Sequence, residues 1–256
     1  MHKKYPSLTN HYQNKDIDYF INAFGDEMKE VTWGIYEKIH GANFSILFLD
    51  NEKPRWFSRN QEVTGSNFYN CEELIEDFAY NKLKSLQDVV DVSNHQGYSL
   101  RLFGELYGPG IQKGVDYGSE RRIKFYDLMI QDRLVPQRIF ENFMVDAGLG
   151  KYLVPSFGRV PTFQDALEFD TRIDSQLSTK TDNIIEGIVI KPYEKVFVDH
   201  NGSVFYIKKK NEEFKEKQKV KKIKTETQYT EEVNKWREEF LAYINKNRAE
   251  SVFSKE

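Results

Sequence analysis

Lys38 stands between two apolar runs and close to a glycine, in Glu37-Lys38-Ile39-His40-Gly41-Ala42-Asn43-Phe44, and this placement suits an amine nucleophile. The flanking residues 31–36 and 44–49 are rich in β-branched and aromatic types and read as strands. The amine therefore sits where a strand ends at a tight glycine turn, facing a cleft from a rigid base. A protonated lysine cannot attack phosphorus, so its pKa has to fall from about 10.4 to about 7, at a cost of about 4–5 kcal/mol. Partial burial and neighbouring positive charge both act in that direction. Lys208 and Lys210 are alternate residues of Ile207-Lys208-Lys209-Lys210-Asn211, so they share one strand face and are placed to supply that charge. Glu186 interrupts the otherwise apolar run Ile184-Ile185-Glu186-Gly187-Ile188-Val189-Ile190, and burying a lone carboxylate demands a cation beside it.

These residues need elements to hold them. Ile17, Phe20, Ile21 and Phe24 recur at helical spacing ahead of the Lys38 strand. Residues 44–49 turn at Asp50-Asn51-Glu52 into Trp56-Phe57-Ser58-Arg59, a hairpin that carries Arg59 back beside the Lys38 strand. Leu74, Ile75, Phe78, Leu86, Val89 and Val90 mark a longer, broken helical stretch. A second β block spans residues 98–106, and the glycine-rich stretch 108–114 after it lacks the terminal Gly-Lys-Ser/Thr of a P-loop. Next come a strand at 123–130, a helix at 137–147 with Pro136 in its first turn, and a short helix at 163–169 capped by Thr162. Residues 184–192 read as a buried central strand and 203–208 as a further strand. A lysine-dense stretch at 208–224 leads into a last helix, with Val233, Trp236, Phe240, Leu241 and Ile244 on one face.

At 256 residues and 39% hydrophobic content the chain is long and apolar enough for a real core, which excludes disorder of the whole. A net charge of −3 gives no overall attraction to nucleic acid, so such binding has to come from a local basic patch. The single cysteine, Cys71, has no internal disulfide partner, and no Cys/His cluster has zinc spacing. No run approaches membrane-spanning length, and the polar start lacks the apolar core of a signal peptide. The expectation is a soluble protein of the cytoplasm or another intracellular setting, phage- or virus-encoded ones included.

The segment around Lys38 resembles motif I of the nucleotidyltransferases that become covalently joined to a nucleotide, the polynucleotide ligases and mRNA capping enzymes. With His40 where those have aspartate, it is similar to the RNA ligase 2 family, which includes the phage nick-sealing enzyme and the kinetoplastid RNA-editing ligases. Phe103-Gly104-Glu105-Leu106-Tyr107-Gly108 resembles motif III, Tyr126-Asp127-Leu128 motif IIIa, Glu186-Gly187-Ile188-Val189-Ile190-Lys191-Pro192 motif IV and Ile207-Lys208-Lys209-Lys210 motif V. The likeness begins at Lys3-Lys4-Tyr5-Pro6 and runs through the lysine tract, so it covers most of the chain.

The resemblance implies an α+β fold, a covalent nucleotidyltransferase domain of the DNA-ligase adenylation type, ATP-grasp-like, with antiparallel sheets lining an ATP cleft. It places this domain at residues 1–224 and a helical tail at 225–256; phage-type members continue into a helical domain that holds duplex RNA, so either that domain is absent here or the chain is a fragment. It implies that Lys38 takes AMP from ATP and that His40 acts on the leaving pyrophosphate. Glu37, Ile39 and Asn43 fall in the nucleotide-binding set, Arg59 matches motif Ia, and Glu105 is implied to bind ribose hydroxyls. Tyr126 falls at the adenine-stacking position, with Phe125 as its rival, because strand alternation lets only one of them face the ligand. Glu186 is implied to hold Mg2+ or Mn2+, and Lys208 and Lys210 to bind the α-phosphate. Two positions depart from the pattern: Ser58 where the phage member has lysine, and Ala42 where a threonine is usual.

The implied activity is that of an ATP-dependent RNA ligase. Lysyl-AMP forms, AMP passes to an RNA 5′-phosphate, and a 3′-hydroxyl displaces it. The implied partners are RNA, as nicked duplex or free ends, and ATP, with another protein supplying the missing RNA-holding part. The other reading is a catalytically limited, ligase-like subunit that binds RNA ends.

Overall fold

The computed structural model describes residues 3–49, 52–64, 68–92 and 99–214, together with residues 235, 236, 238 and 239. The lysine stretch beyond 214 and most of the expected last helix, including Val233, Phe240, Leu241 and Ile244, lie outside the described residues, as do Asp50 and Asn51 of the hairpin turn. The chain divides into two compact units, Met1–Lys215 and Glu216–Glu256, and the first carries all the elements below. The expected boundary at 224/225 falls outside the described residues.

Among the described residues the strands are β1 (Thr9–Asn10), β2 (Trp33–Glu37), β3 (Ala42–Leu49), β4 (Arg55–Ser58), β5 (Ser99–Tyr107), β6 (Arg122–Ile130), β7 (Arg133–Leu134), β8 (Ser156–Val160), β9 (Gly187–Pro192) and β10 (Ile207–Lys210). The helices are α1 (Asn14–Met28), α2 (Glu72–Asn81), α3 (Leu83–Val92), α4 (Gln137–Asp146) and α5 (Phe163–Glu168). They build two five-stranded sheets, ordered β1-β10-β9-β2-β8 and β4-β3-β5-β6-β7. Every pair is antiparallel except β1 with β10.

Each sheet buries one face under helices, because a pleated strand sends alternate side chains to opposite sides. The second sheet packs Phe44, Ile46, Leu100, Leu102, Phe125 and Leu128 against Ile75, Phe78, Leu86, Phe140 and Met144 of α2, α3 and α4. The first packs Trp33, Ile35, Ile188, Ile190 and Ile207 against Ile17 and Phe20 of α1 and Ala166 of α5. At about 1.5–3 kcal/mol for each large apolar side chain removed from water, these two clusters dominate the stability of the domain. Among the described residues no helix is long and apolar enough to cross a membrane.

Several expectations shift in detail. Ile21, on the rim of the α1 stripe, is 40% exposed, and Met28 completes the buried face instead. Pro136 sits at the N-cap of α4 with extended backbone, one residue before the first turn. The strand expected at 203–208 begins at Ile207, and Val204 makes only an isolated bridge to Val198. Strand β8 was not foreseen, because Ser156-Phe157-Gly158-Arg159-Val160 has too few apolar residues to signal a strand. It exists as an edge partner of β2.

Candidate active site

Lys38 follows β2 directly, and its backbone amide donates to Gly187 O at 2.9 Å. This ties the nucleophile candidate to the start of β9, where Glu186 stands. Gly187 has φ +156°, and a Cβ there would lie 2.1 Å from Lys209 O, so only glycine lets β10 run this close. The close approach brings three cationic or basic groups onto one carboxylate. Lys38 Nζ lies 2.8 Å from Glu186 Oε2, His40 Nδ1 lies 3.2 Å from the same oxygen, and Lys210 Nζ lies 2.9 Å from Oε1. Burial of the Glu186 side chain, 3% exposed, would by itself raise its pKa. The contacts from His40, Lys38 and Lys210 outweigh that penalty and hold it at about 2. The buried carboxylate thus has the cations its sequence setting demands, and the lysine expected to be a nucleophile is one of them.

Gly41 turns the chain from β2 into the second sheet. A Cβ there would meet Leu106 O at 2.2 Å and Glu105 Cγ at 2.8 Å, so the motif glycine is required by the close passage of β5. In register across the sheet, Asn43 faces Glu105, and Glu105 faces Lys124. Burial pushes the Glu105 carboxyl up to about 8, opposed by Lys38, Arg59 and the Gly41 amide and reinforced by Glu186. Two carboxylates of one site are therefore driven apart in charge. Arg59 follows β4 with its side chain exposed and within electrostatic reach of Glu105 and Tyr126.

A β-bulge decides which of Phe125 and Tyr126 faces the core. Phe103 pairs with Asp127 while Gly104 pairs with Phe125, which leaves Tyr126 as the extra residue. Ile123, Phe125, Leu128 and Ile130 all point into the helix-covered core, where Phe125 is fully buried against Phe44 and Phe78. Tyr126 and Asp127, though consecutive, both point to the other face, as a bulge permits. There the Tyr126 hydroxyl accepts a hydrogen bond from Asn43 Nδ2. Asp127 pairs with Lys191 of β9, whose Nζ lies 2.8 Å from Asp127 Oδ2, 2.7 Å from Tyr126 O and 3.2 Å from Gln137 Oε1. Tyr5 also donates to Asp127 and lies edge-on to Tyr126, with centroids 4.9 Å apart.

The remaining predicted residues are placed as follows. Lys208 shares the Lys210 face of β10 by strand alternation, opposite Val189, while Lys209 on the other face donates to Leu167 O and Phe169 O. Glu37 is buried, with its carboxylate accepting from Ser175 Oγ at 2.5 Å and from the Gln176 amide at 3.0 Å. The Ile39 side chain packs with Tyr36, Tyr107 and Tyr117. For both, the side chain is turned to the interior. Sequence reasoning missed Tyr117, Lys191 and Tyr5. Lys191 carried a signal, as a lysine inside an apolar strand; Tyr117 carried none.

The donors at Glu186 fit a divalent cation that keeps much of its own water. Among the described residues no three or more carboxylate, histidine or cysteine side chains converge as a metal cage, and Glu186 is the carboxylate that would hold a largely hydrated divalent cation.

Comparison with known proteins gives the family and the fold. The family model for RNA ligase matches residues 31–210. Solved structures of Naegleria gruberi RNA ligase are similar in fold. A mutant without ligand aligns at 15% identity and TM-score 0.55, covering 83% of this chain and 56% of that one. A mutant with ATP and Mn aligns at 15% and 0.54, covering 82% and 57%. The protein with PPi aligns at 14% and 0.53, covering 84% and 57%. This chain thus spans between 56% and 57% of the length of those relatives.

Proposed function

The chain belongs to the RNA ligase family, and from that premise we propose that it is an ATP-dependent RNA ligase working through lysyl-AMP, with nicked duplex RNA as its substrate. The observation that carries this reading is the convergence of Lys38, His40 and Lys210 on Glu186. Once free of Glu186, the Lys38 amine attacks the α-phosphorus of ATP. An N–P bond forms, the bond to pyrophosphate breaks, and the proton lost from the ammonium goes to solvent. Tyr126 stacks on the adenine, Glu105 meets the ribose hydroxyls, and Arg59, Lys208 and Lys210 hold phosphate oxygens. Asn43 holds the nucleotide phosphate, His40 faces the leaving pyrophosphate, and Glu37 and Ile39 contact the nucleotide through their main chain. A divalent ion, Mg2+ or Mn2+, held at Glu186 would neutralise charge on the phosphates. The protein's part is positioning and electrostatics, as in other phosphoryl transfers. AMP then passes to an RNA 5′-phosphate, and a 3′-hydroxyl displaces it.

The test is the intact mass of the purified chain after incubation with magnesium and ATP, GTP or dATP, with Lys38→Ala and a chelated sample as controls. The expected result is an AMP-sized gain with ATP, absent in both controls. No gain from folded protein that is not already adenylylated would overturn the reading and leave an RNA-end-binding subunit.

A further inference from the structure

The backbone of His40 lies between the last residue of β2 and the first of β3, so no sheet partner takes its amide. A partly buried N–H in that position needs another acceptor. Tyr117 provides it: its hydroxyl accepts the His40 amide at 2.8 Å. The Tyr117 ring is buried edge-on against Tyr107, with centroids 4.9 Å apart. The loop bearing it is fixed at Asp116, whose amide donates to Asn183 Oδ1 at 2.8 Å and whose carbonyl accepts from Asn183 Nδ2 at 2.8 Å. Asn183 stands three residues before Glu186 in the chain. The same loop shapes the seat of the imidazole. A Cβ on Gly114 would lie 2.8 Å from Phe214 Cε1, and the Phe214 ring packs edge-on against His40, with centroids 5.1 Å apart. One loop therefore holds the His40 main chain, the ring that packs on its imidazole, and the segment leading to its carboxylate partner.

We propose that Tyr117 is a positioning residue for His40, fixing the 38–42 turn through its hydroxyl and so setting the imidazole against Glu186 and the leaving group. The inference rests on the reading of this site as a nucleotidyl-transfer centre, but only for its kinetic consequence. Tyr117→Phe keeps the ring and removes the acceptor. In the ligand-free protein the expected result is a shift of the His40 imidazole NMR resonance with those of His11 and His200 unchanged. In single-turnover adenylylation the maximal rate should fall about tenfold, the size set by one partly buried amide left without its acceptor. The ATP concentration for half-maximal rate should stay within about twofold, because the loss falls on the reacting geometry rather than on ground-state binding. In a His40→Ala background Tyr117→Phe should cost clearly less than in the unaltered protein, because the share of the loss that runs through the imidazole is already gone. An unmoved His40 resonance, or an equal loss in the His40→Ala background, would overturn the proposal. If His40→Ala alone leaves the rate unchanged, it is the catalytic reading of His40 that fails, and the resonance still decides the positioning. Should Tyr117→Phe not fold, Asn183→Asp, which frees the same loop at Asp116 O, is measured in the same way with the same expectations.

Discussion

Glu186 and Glu105 face each other's fields with opposite charge behaviour, and the difference comes from their neighbours. Three nitrogen groups hold Glu186 ionised, whereas burial of Glu105 is only partly offset and keeps its carboxyl protonated up to about 8. The sign of the stability effect follows. Between the ordinary value of 4.5 and about 8 the unfolded chain gives up the Glu105 proton while the folded chain keeps it, so folding stability falls as pH rises through that window. Glu105→Gln removes this dependence. The thermal midpoint of the unaltered protein, compared with that of the variant, should therefore decline from pH 4.5 to 8 and level off above, as scanning calorimetry would show. A flat difference would mean that Glu105 is ionised in the fold.

At the scale of the element, the bulge in β6 decides which aromatic faces the core and which faces Asn43. Without it, residues 125 and 127 would share the core face, and an aspartate would be driven among Phe44, Phe78 and Leu128. With it, Phe125 remains in the core and Tyr126 turns toward Asn43. The two positions should separate cleanly on substitution. Phe125→Ala is expected to cost about 3–5 kcal/mol in chemical denaturation, the usual price of a cavity of that size. Tyr126→Ala is expected to cost far less stability and to weaken ATP binding, read by calorimetric titration. Equal loss of stability in both would contradict the division.

At the scale of the whole domain, the Asp127–Lys191 pair joins the two sheets. It links β6 to β9 with side-chain exposures of 0% and 2%, and Gln137 of α4 and Tyr5 of the N-terminal segment close around it. Removing one charge of such a pair leaves the other buried and uncompensated, so Lys191→Met is expected to destabilise the domain by about 3–5 kcal/mol. The double change Lys191→Met with Asp127→Leu should recover most of that loss, and a double mutant no more stable than the single would show that the pair is not the joint. Because Lys191 Nζ also holds Tyr126 O, the joint and the Tyr126 side of the cluster share one set of contacts.

The motif residues were legible in the sequence because their chemistry requires particular types at particular local spacings. A lysine at a glycine turn, a glutamate in an apolar strand and two lysines at strand alternation need no knowledge of distant partners. The helices and the longer strands were legible for a similar reason, since a buried face imposes a period on the residues that form it. What only the tertiary structure decided depends on contacts between segments far apart in the chain. The meeting of Lys38, His40 and Lys210 on Glu186, the edge strand β8, and the tie from Tyr117 to His40 are of this kind. So is the choice between Phe125 and Tyr126, because a one-residue bulge leaves no periodic trace and is fixed by how β5 and β6 pair under their helices.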